Sequence, residues 1–384
     1  MKIQCNQAIP SDMLLSFRDL GFDRVPVRAY SSRGIPYERS IPVGMPKIPQ
    51  NARNAAFYLY PSKADAEKGE NFGGTGFLVL VPSERHGKYG RGYIYAVTNW
   101  HVACQSGSSV IRLNTKSGKP DILEYGPDEW YFDPRYDIAV RQIILHSDVH
   151  AATAIHYEML LTPAGAASAE IGPGDDVFMV GRFIDHDGGE VNRPAVRFGH
   201  ISIDPTPIEQ PNNRKTDCYC IDIHSRTGYS GSPVFAYRLP GSDLSRGHDP
   251  NAPALLMAGA NFFMLLGIHI AQFPELWEVT EKGKLRHETA EPLLTDGKFI
   301  KGFSGMTVVI PAWRIREILD SPTFKKARDM ADEKAAEEFR KNGYPPEAES
   351  SGGSAPEAKD ANPQHREDFT SLLGEAARKQ QQGG

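Results

Sequence analysis

The chain has 384 residues, 40% apolar and 24% charged, enough for a sizeable core and for more than one packed sub-domain. A formal net charge of -5 leaves no basic excess for holding phosphates, so nucleic acid is not an expected partner. Only Cys5, Cys104, Cys218 and Cys220 are present, the last two too close for a useful staple, and neither a signal-like apolar run nor a membrane-length one occurs, so a reducing, cytoplasmic location away from membrane is expected.

Residues 1–52 are rich in Pro, Gly and Arg with weak periodicity and read as an extended or partly disordered leader. From Ala55 the texture changes to short apolar or alternating runs bounded by turn residues. Strands are expected at Ala56 to Tyr60, Thr75 to Val81, Gly92 to Thr98 and Asp137 to Leu145. A second set falls at Asp176 to Gly181, Ala195 to Ile203, Cys218 to Ile223, Ser232 to Tyr237, Phe262 to Ile270 and Met306 to Ile310. Two such sets point to two β-barrels, at 53–165 and 166–320, the second closed by an amphipathic helix over Pro311 to Leu319. Residues 321–384 read as a tail. Lys325 to Lys341 is a charged, Ala-rich exposed helix, and 343–363 is a Pro/Gly/Ser/Glu-rich disordered linker. His365 to Lys379 is a short amphipathic segment, either a docking element for a protein partner or an unbound fraying helix.

Three places carry chemistry. Thr227-Gly228-Tyr229-Ser230-Gly231-Ser232-Pro233 sets a serine in a tight Gly-flanked turn ahead of an apolar strand, which exposes a hydroxyl and leaves the N–H groups of Gly228 and Ser230 to face a developing oxyanion. The turn alone would equally suit an ordinary hairpin. Thr98-Asn99-Trp100-His101-Val102 puts an imidazole at a strand end, and Asp137 begins the run Asp-Ile-Ala-Val. Taken singly, these would be a structural histidine and a capping aspartate.

Together they resemble the trypsin-like (chymotrypsin-fold) serine peptidases of bacterial type, whose chain order is His, Asp, Ser. Here the separations are 36 (137 - 101) and 93 (230 - 137) residues. Gly73-Gly74-Thr75-Gly76-Phe77, Gly174 to Arg182 and Leu265-Leu266-Gly267-Ile268-His269 extend the resemblance over about residues 55–320. It implies an all-β fold of two six-stranded antiparallel barrels, a His101–Asp137–Ser230 triad, an oxyanion hole of Gly228 and Ser230 N–H, a polypeptide substrate and no cofactor or metal.

Gly-x-Ser-Gly-Ser-Pro-Val-Phe also resembles the glutamyl endopeptidase branch. Ser225 and His269 would then line a pocket for Glu or Gln at P1, and His224, where trypsin has a carboxylate, disfavours Lys or Arg. The alternative is that His269 is a strand histidine beside a small or apolar pocket. Tyr229 departs from the usual Asp or Asn and argues against activation by a liberated N-terminus. A catalytically degenerate, peptide-binding or interaction version of the same fold is the competing function. His146, His150 and His156 read as surface histidines, and Asp185 to Gly189 as a hairpin tip.

Overall fold

A computed structural model describes residues 24–30, 36–42, 48–84, 92–182, 191–209, 215–225, 228–238, 262–279, 285–288 and 299–342. The expected linker, the amphipathic tail and the hairpin tip at Asp185 to Gly189 lie outside them. Residues 1–50 and 51–384 form two compact units. Within the first, the leader is less irregular than its composition suggests: β1 (Arg24–Tyr30) and β2 (Pro36–Pro42) pair as an antiparallel hairpin with Val27 opposite Arg39. The alternation Val25, Val27, Ala29 is the period-two signal behind it.

The second unit opens with α1 (Gln50–Asn54), β3 (Ala56–Tyr60) and α2 (Lys63–Lys68). Ser62 caps α2 by accepting from Asp65 N–H, and Gly69, at φ 73°, ends it in the left-handed region that glycine enters cheaply. Next come β4 (Gly74–Pro82), β5 (Gly92–Thr98), β6 (Val110–Asn114), β7 (Pro120–Leu123), β8 (Tyr131–Phe132), β9 (Ala139–Ile143) and β10 (Ile155–His156). They form one sheet in the order β7-β6-β3-β4-β5-β9-β8, antiparallel throughout, with β10 added parallel to β4. Phe57, Leu59, Leu78, Ile111 and Trp130 fill its core.

After α3 (Pro163–Ser168), capped by Thr162, the chain builds β11 (Asp176–Gly181), β12 (Ala195–Glu209), β13 (Lys215–Asp222), β14 (Pro233–Arg238), β15 (Phe262–Val279), β16 (Leu285–Glu288) and β17 (Phe299–Pro311). The order is β14-β11-β12-β13-β17-β15-β16, and pairing of β14 with β15 turns it into a ring. A half-barrel sheet and a ring-like sheet make the molecule mostly β, consistent with the chymotrypsin fold. Among the described residues nothing pairs β7 with β8, so the first sheet is a half-barrel where the sequence leads one to expect a closed six-stranded barrel. Cys104, Cys218 and Cys220 are free thiols. Among the described residues no helix is long and apolar enough to cross a membrane.

The closing helix forms as expected, as α4 (Ala312–Leu319), with Ile315, Ile318 and Leu319 buried. The charged helix after it, α5 (Pro322–Asn342), is not exposed as its composition suggests. It lays Phe324, Ala327, Ala331 and Ala335 against the protein, and Phe324 meets Tyr95 and Tyr131 edge-on at centroid distances of 5.4 and 4.9 Å. Its buried Asp332 accepts from Ser83 Oγ at 2.8 Å and from Tyr93 OH at 2.6 Å. Polar partners supplied by the first sheet let a helix rich in charge be buried without orphaning those charges. Phe324→Ala should therefore lower unfolding free energy by about 3–5 kcal/mol in chemical denaturation. A surface helix would lose under about 0.5 kcal/mol.

Candidate active site

Strand register explains how distant residues meet. Thr98, the last residue of β5, pairs with Ala139, the first of β9. In this antiparallel ladder, three residues onward from Thr98 and two residues back from Ala139 reach the same end of the sheet, and these are His101 and Asp137. There His101 opens one wide helical turn, His101–Gln105. Its Nδ1 lies 2.6 Å from Asp137 Oδ2, and its backbone N–H donates to Oδ1 at 2.9 Å. Asn99 Nδ2 donates to the Asp137 carbonyl at 2.9 Å, fixing the carboxylate's own backbone. Asp137 is fully buried while the His101 side chain keeps 21% of its surface exposed, so the imidazole is oriented from behind and open in front.

Ser230 arrives from the other sheet. β14 begins at Pro233 opposite Ile268 of β15, and the pairing continues as Gly231 N–H to His269 O and His269 N–H to Ser232 O, both 3.0 Å. Ser230 Oγ donates to Ile270 O at 3.4 Å, and among the described residues no hydrogen bond joins it to His101. Such bonds are often long before substrate arrives. The two turns meet over Gly74, where a Cβ would fall 2.7 Å from Val102 Cγ1 and 3.1 Å from Ser230 O.

The serine turn needs its glycines. Gly228 and Gly231 have φ of +100° and +84°, and a Cβ on Gly231 would sit 1.9 Å from Thr75 O. Among the described residues, neither Gly228 N–H nor Ser230 N–H has an acceptor, as an oxyanion site requires.

Thr75 is a site residue that motif reading passed over. Wholly buried on β4, it donates from N–H to Ser230 O at 2.9 Å and from Oγ1 to Gly228 O at 2.8 Å. Its Oγ1 accepts from Arg182 N–H, and its carbonyl accepts from Thr98 Oγ1 at 2.7 Å. The available signal was a threonine inside Gly73-Gly74-Thr75-Gly76; its partners lie far away in sequence.

The expected pocket residues divide. Ser225 Oγ and His269 Nε2 are 3.0 Å apart and both residues are buried. His224 is exposed and packs beside Gly305. Burial pushes the His269 imidazole down to about 3, the Tyr229 carbonyl pulling weakly upward and His101 adding to the depression. Nδ1 of His269 nonetheless makes no hydrogen bond of good geometry. Elsewhere, the expected surface histidine His150 is buried, holding Asp121 through Nε2 at 2.8 Å and accepting His146 N–H through Nδ1.

Residues 74–238 match the family model described as a trypsin-like peptidase domain, a span that contains His101, Asp137 and Ser230. No curated protein matches the chain. Two similar solved structures are the MamO protease domain from Magnetospirillum magneticum, 14% identical with a TM-score of 0.37, and an inactive serine-to-alanine form of Rv3671c from M. tuberculosis, 15% identical with a TM-score of 0.34. The alignments cover 71% and 69% of this chain and 98% and 84% of those chains, respectively. These are likenesses in outline, too low in TM-score to bear on chemistry.

The depressed His269 has a stability consequence. Between its folded value near 3 and an ordinary imidazole value near 6.5 the unfolded chain binds the extra proton, so stability falls as pH drops through this window. Going from pH 8 to pH 4 should cost about 3 kcal/mol through this group. His269→Gln should flatten the pH dependence of the unfolding free energy by that amount; parallel profiles would show His269 to be solvated.

Proposed function

We propose that this chain, which carries a trypsin-like peptidase domain over residues 74–238, is a serine endopeptidase acting through an acyl-enzyme. The observation that carries the reading is the His101–Asp137 pair at 2.6 Å, set beside a Gly-flanked serine turn whose two N–H groups are unengaged among the described residues. In this reading His101 takes the Ser230 proton and later returns it to the leaving amine. Asp137 holds the imidazole with Nδ1–H toward the carboxylate, and the N–H groups of Gly228 and Ser230 stabilise the tetrahedral oxyanion. The two sheets are read as the two barrels of the family.

A peptide has a place to lie. Opposite β17, the edge of β15 is paired with β14 up to Ile268, and among the described residues Ile270 to Gln272 just beyond carry no strand on that side. Ile270 O, the acceptor of Ser230 Oγ, belongs to that stretch. A substrate added there as a strand would bring its scissile bond to the serine.

At P1 the proposal is Glu or Gln, recognised by Ser225 and His269. A buried imidazole that stays neutral offers hydrogen bonds and no charge, which favours Gln over Glu. Three free thiols fit a reducing, cytoplasmic setting.

Ser230→Ala should reduce kcat for peptide hydrolysis by at least about 10³-fold with the fold retained. Hydrolysis unchanged in Ser230→Ala would remove the serine from the mechanism, and a folded wild-type chain that binds peptides without cleaving them would favour the degenerate, peptide-binding function. Across P1-varied peptides, Gln should exceed Ala by roughly 10-fold or more in kcat/KM. Equal turnover of Gln, Glu and Ala would take His269 out of the pocket.

A further inference from the structure

Tyr229 stands immediately before the proposed nucleophile, at 0% exposure. Its hydroxyl accepts from Arg197 Nε at 3.0 Å, and the Arg197 guanidinium carbon lies 5.2 Å from its ring centroid. β11 passes close beside the ring: a Cβ on Gly181 would fall 2.7 Å from Tyr229 Cδ1 and 2.1 Å from Ser232 Oγ. Arg197 pairs with Met179 in the β11–β12 ladder, so the anchor of the phenol is itself a sheet residue.

The turn has a particular need for such an anchor. Gly228 and Gly231 both occupy the left-handed region and bring no side chain, so each is a soft joint. Between them, only Tyr229 and Ser230 can pin the backbone by packing, and Ser230 must leave its hydroxyl free to react. The N–H groups proposed to meet the oxyanion belong to the residues on either side of Tyr229. A rotation of the Tyr229 backbone would swing both. Its carbonyl also accepts Ser232 N–H at 2.9 Å, closing the turn on itself.

Resting on the peptidase function proposed above, we infer that Tyr229, held by Arg197, is a positioning residue that sets the Ser230 turn in its reactive shape as the barrel folds. The phenol plays this part through three contacts together: the ring wedged beside β11, the buried hydroxyl satisfied by a charged donor, and the guanidinium stacked over the ring. The anchor lies within the barrel, so the turn requires no separately supplied group to take shape.

The test uses the full chain and the variants Tyr229→Phe, Arg197→Met, Arg197→Lys and the double Tyr229→Phe/Arg197→Met. For each, kcat, KM, Tm and amide hydrogen exchange of the segment around residues 228–232 are measured. Tyr229→Phe and Arg197→Met should each lower kcat by roughly 10- to 100-fold with KM within about twofold. The double variant should be no worse than the poorer single, and Arg197→Lys, which keeps a donor, should recover much of the loss. Exchange in the turn should speed up while other segments and Tm hold. An active wild type whose Tyr229→Phe form keeps kcat within about twofold, or whose losses track Tm, overturns the inference. If the wild type cleaves nothing, the peptidase function fails on its own account. Exchange then decides this inference separately: a turn unchanged in Tyr229→Phe overturns it, and a loosened one supports it.

Discussion

Thr75 ties the Ser230 turn to a sheet to which that turn does not belong, and the arrangement of the site depends on this link. Its N–H and hydroxyl both donate into the turn, to Ser230 O and Gly228 O, while its carbonyl holds Thr98, three residues before His101. Each bond in isolation contributes on the order of 1 kcal/mol. Their importance is geometric: one buried residue fixes the serine turn and the strand end that presents the histidine in a single frame. Breaking the link would leave buried acceptors without donors and free two sheets to shift against each other.

Around that frame the polar groups are placed with a division of labour. Both oxygens of the buried Asp137 have partners in His101, and the His101 side chain stays partly open, as the base proposed for it requires. Among the described residues, Gly228 and Ser230 N–H have no acceptor, in a turn whose positive φ angles only glycine adopts cheaply. Unsatisfied donors cost free energy in a folded protein, and they are tolerated where a ligand charge will meet them.

Much of this was legible in the residues. Short apolar or alternating runs mark β3, β4, β5, β11 and β14 almost to their ends, and helical spacing marks α4. The order His101, Asp137, Ser230, with strands after each of the last two, marks the candidate site in the sequence, and the structure pairs His101 with Asp137. What escaped had physical reasons. Thr75 acts on residues more than 150 positions away, beyond any local pattern. β6 contains Arg112, a fully buried guanidinium satisfied by Asn192 Oδ1 and Ala66 O, so its sequence lacks an apolar run. In α5 the buried stripe is mostly alanine, too weakly apolar to stand out among lysines and glutamates, and its buried charges find partners in other parts of the fold, Asp332 in Ser83 and Tyr93 and Arg328 in the Leu319 carbonyl. Spacing from Ser230 puts His224 and Ser225 together at the expected pocket, and past the end of β13 the structure leaves His224 exposed between buried Ile223 and Ser225.

The central claim, that Ser230 is a nucleophile activated by His101, is tested most directly by treating the folded chain with a fluorophosphonate and locating the adduct by peptide mass spectrometry. The account predicts one adduct, on Ser230, formed by the wild type and lost or slowed by several orders of magnitude in His101→Ala. A folded chain that acquires no adduct, or acquires it on Ser230 equally fast without His101, would contradict it.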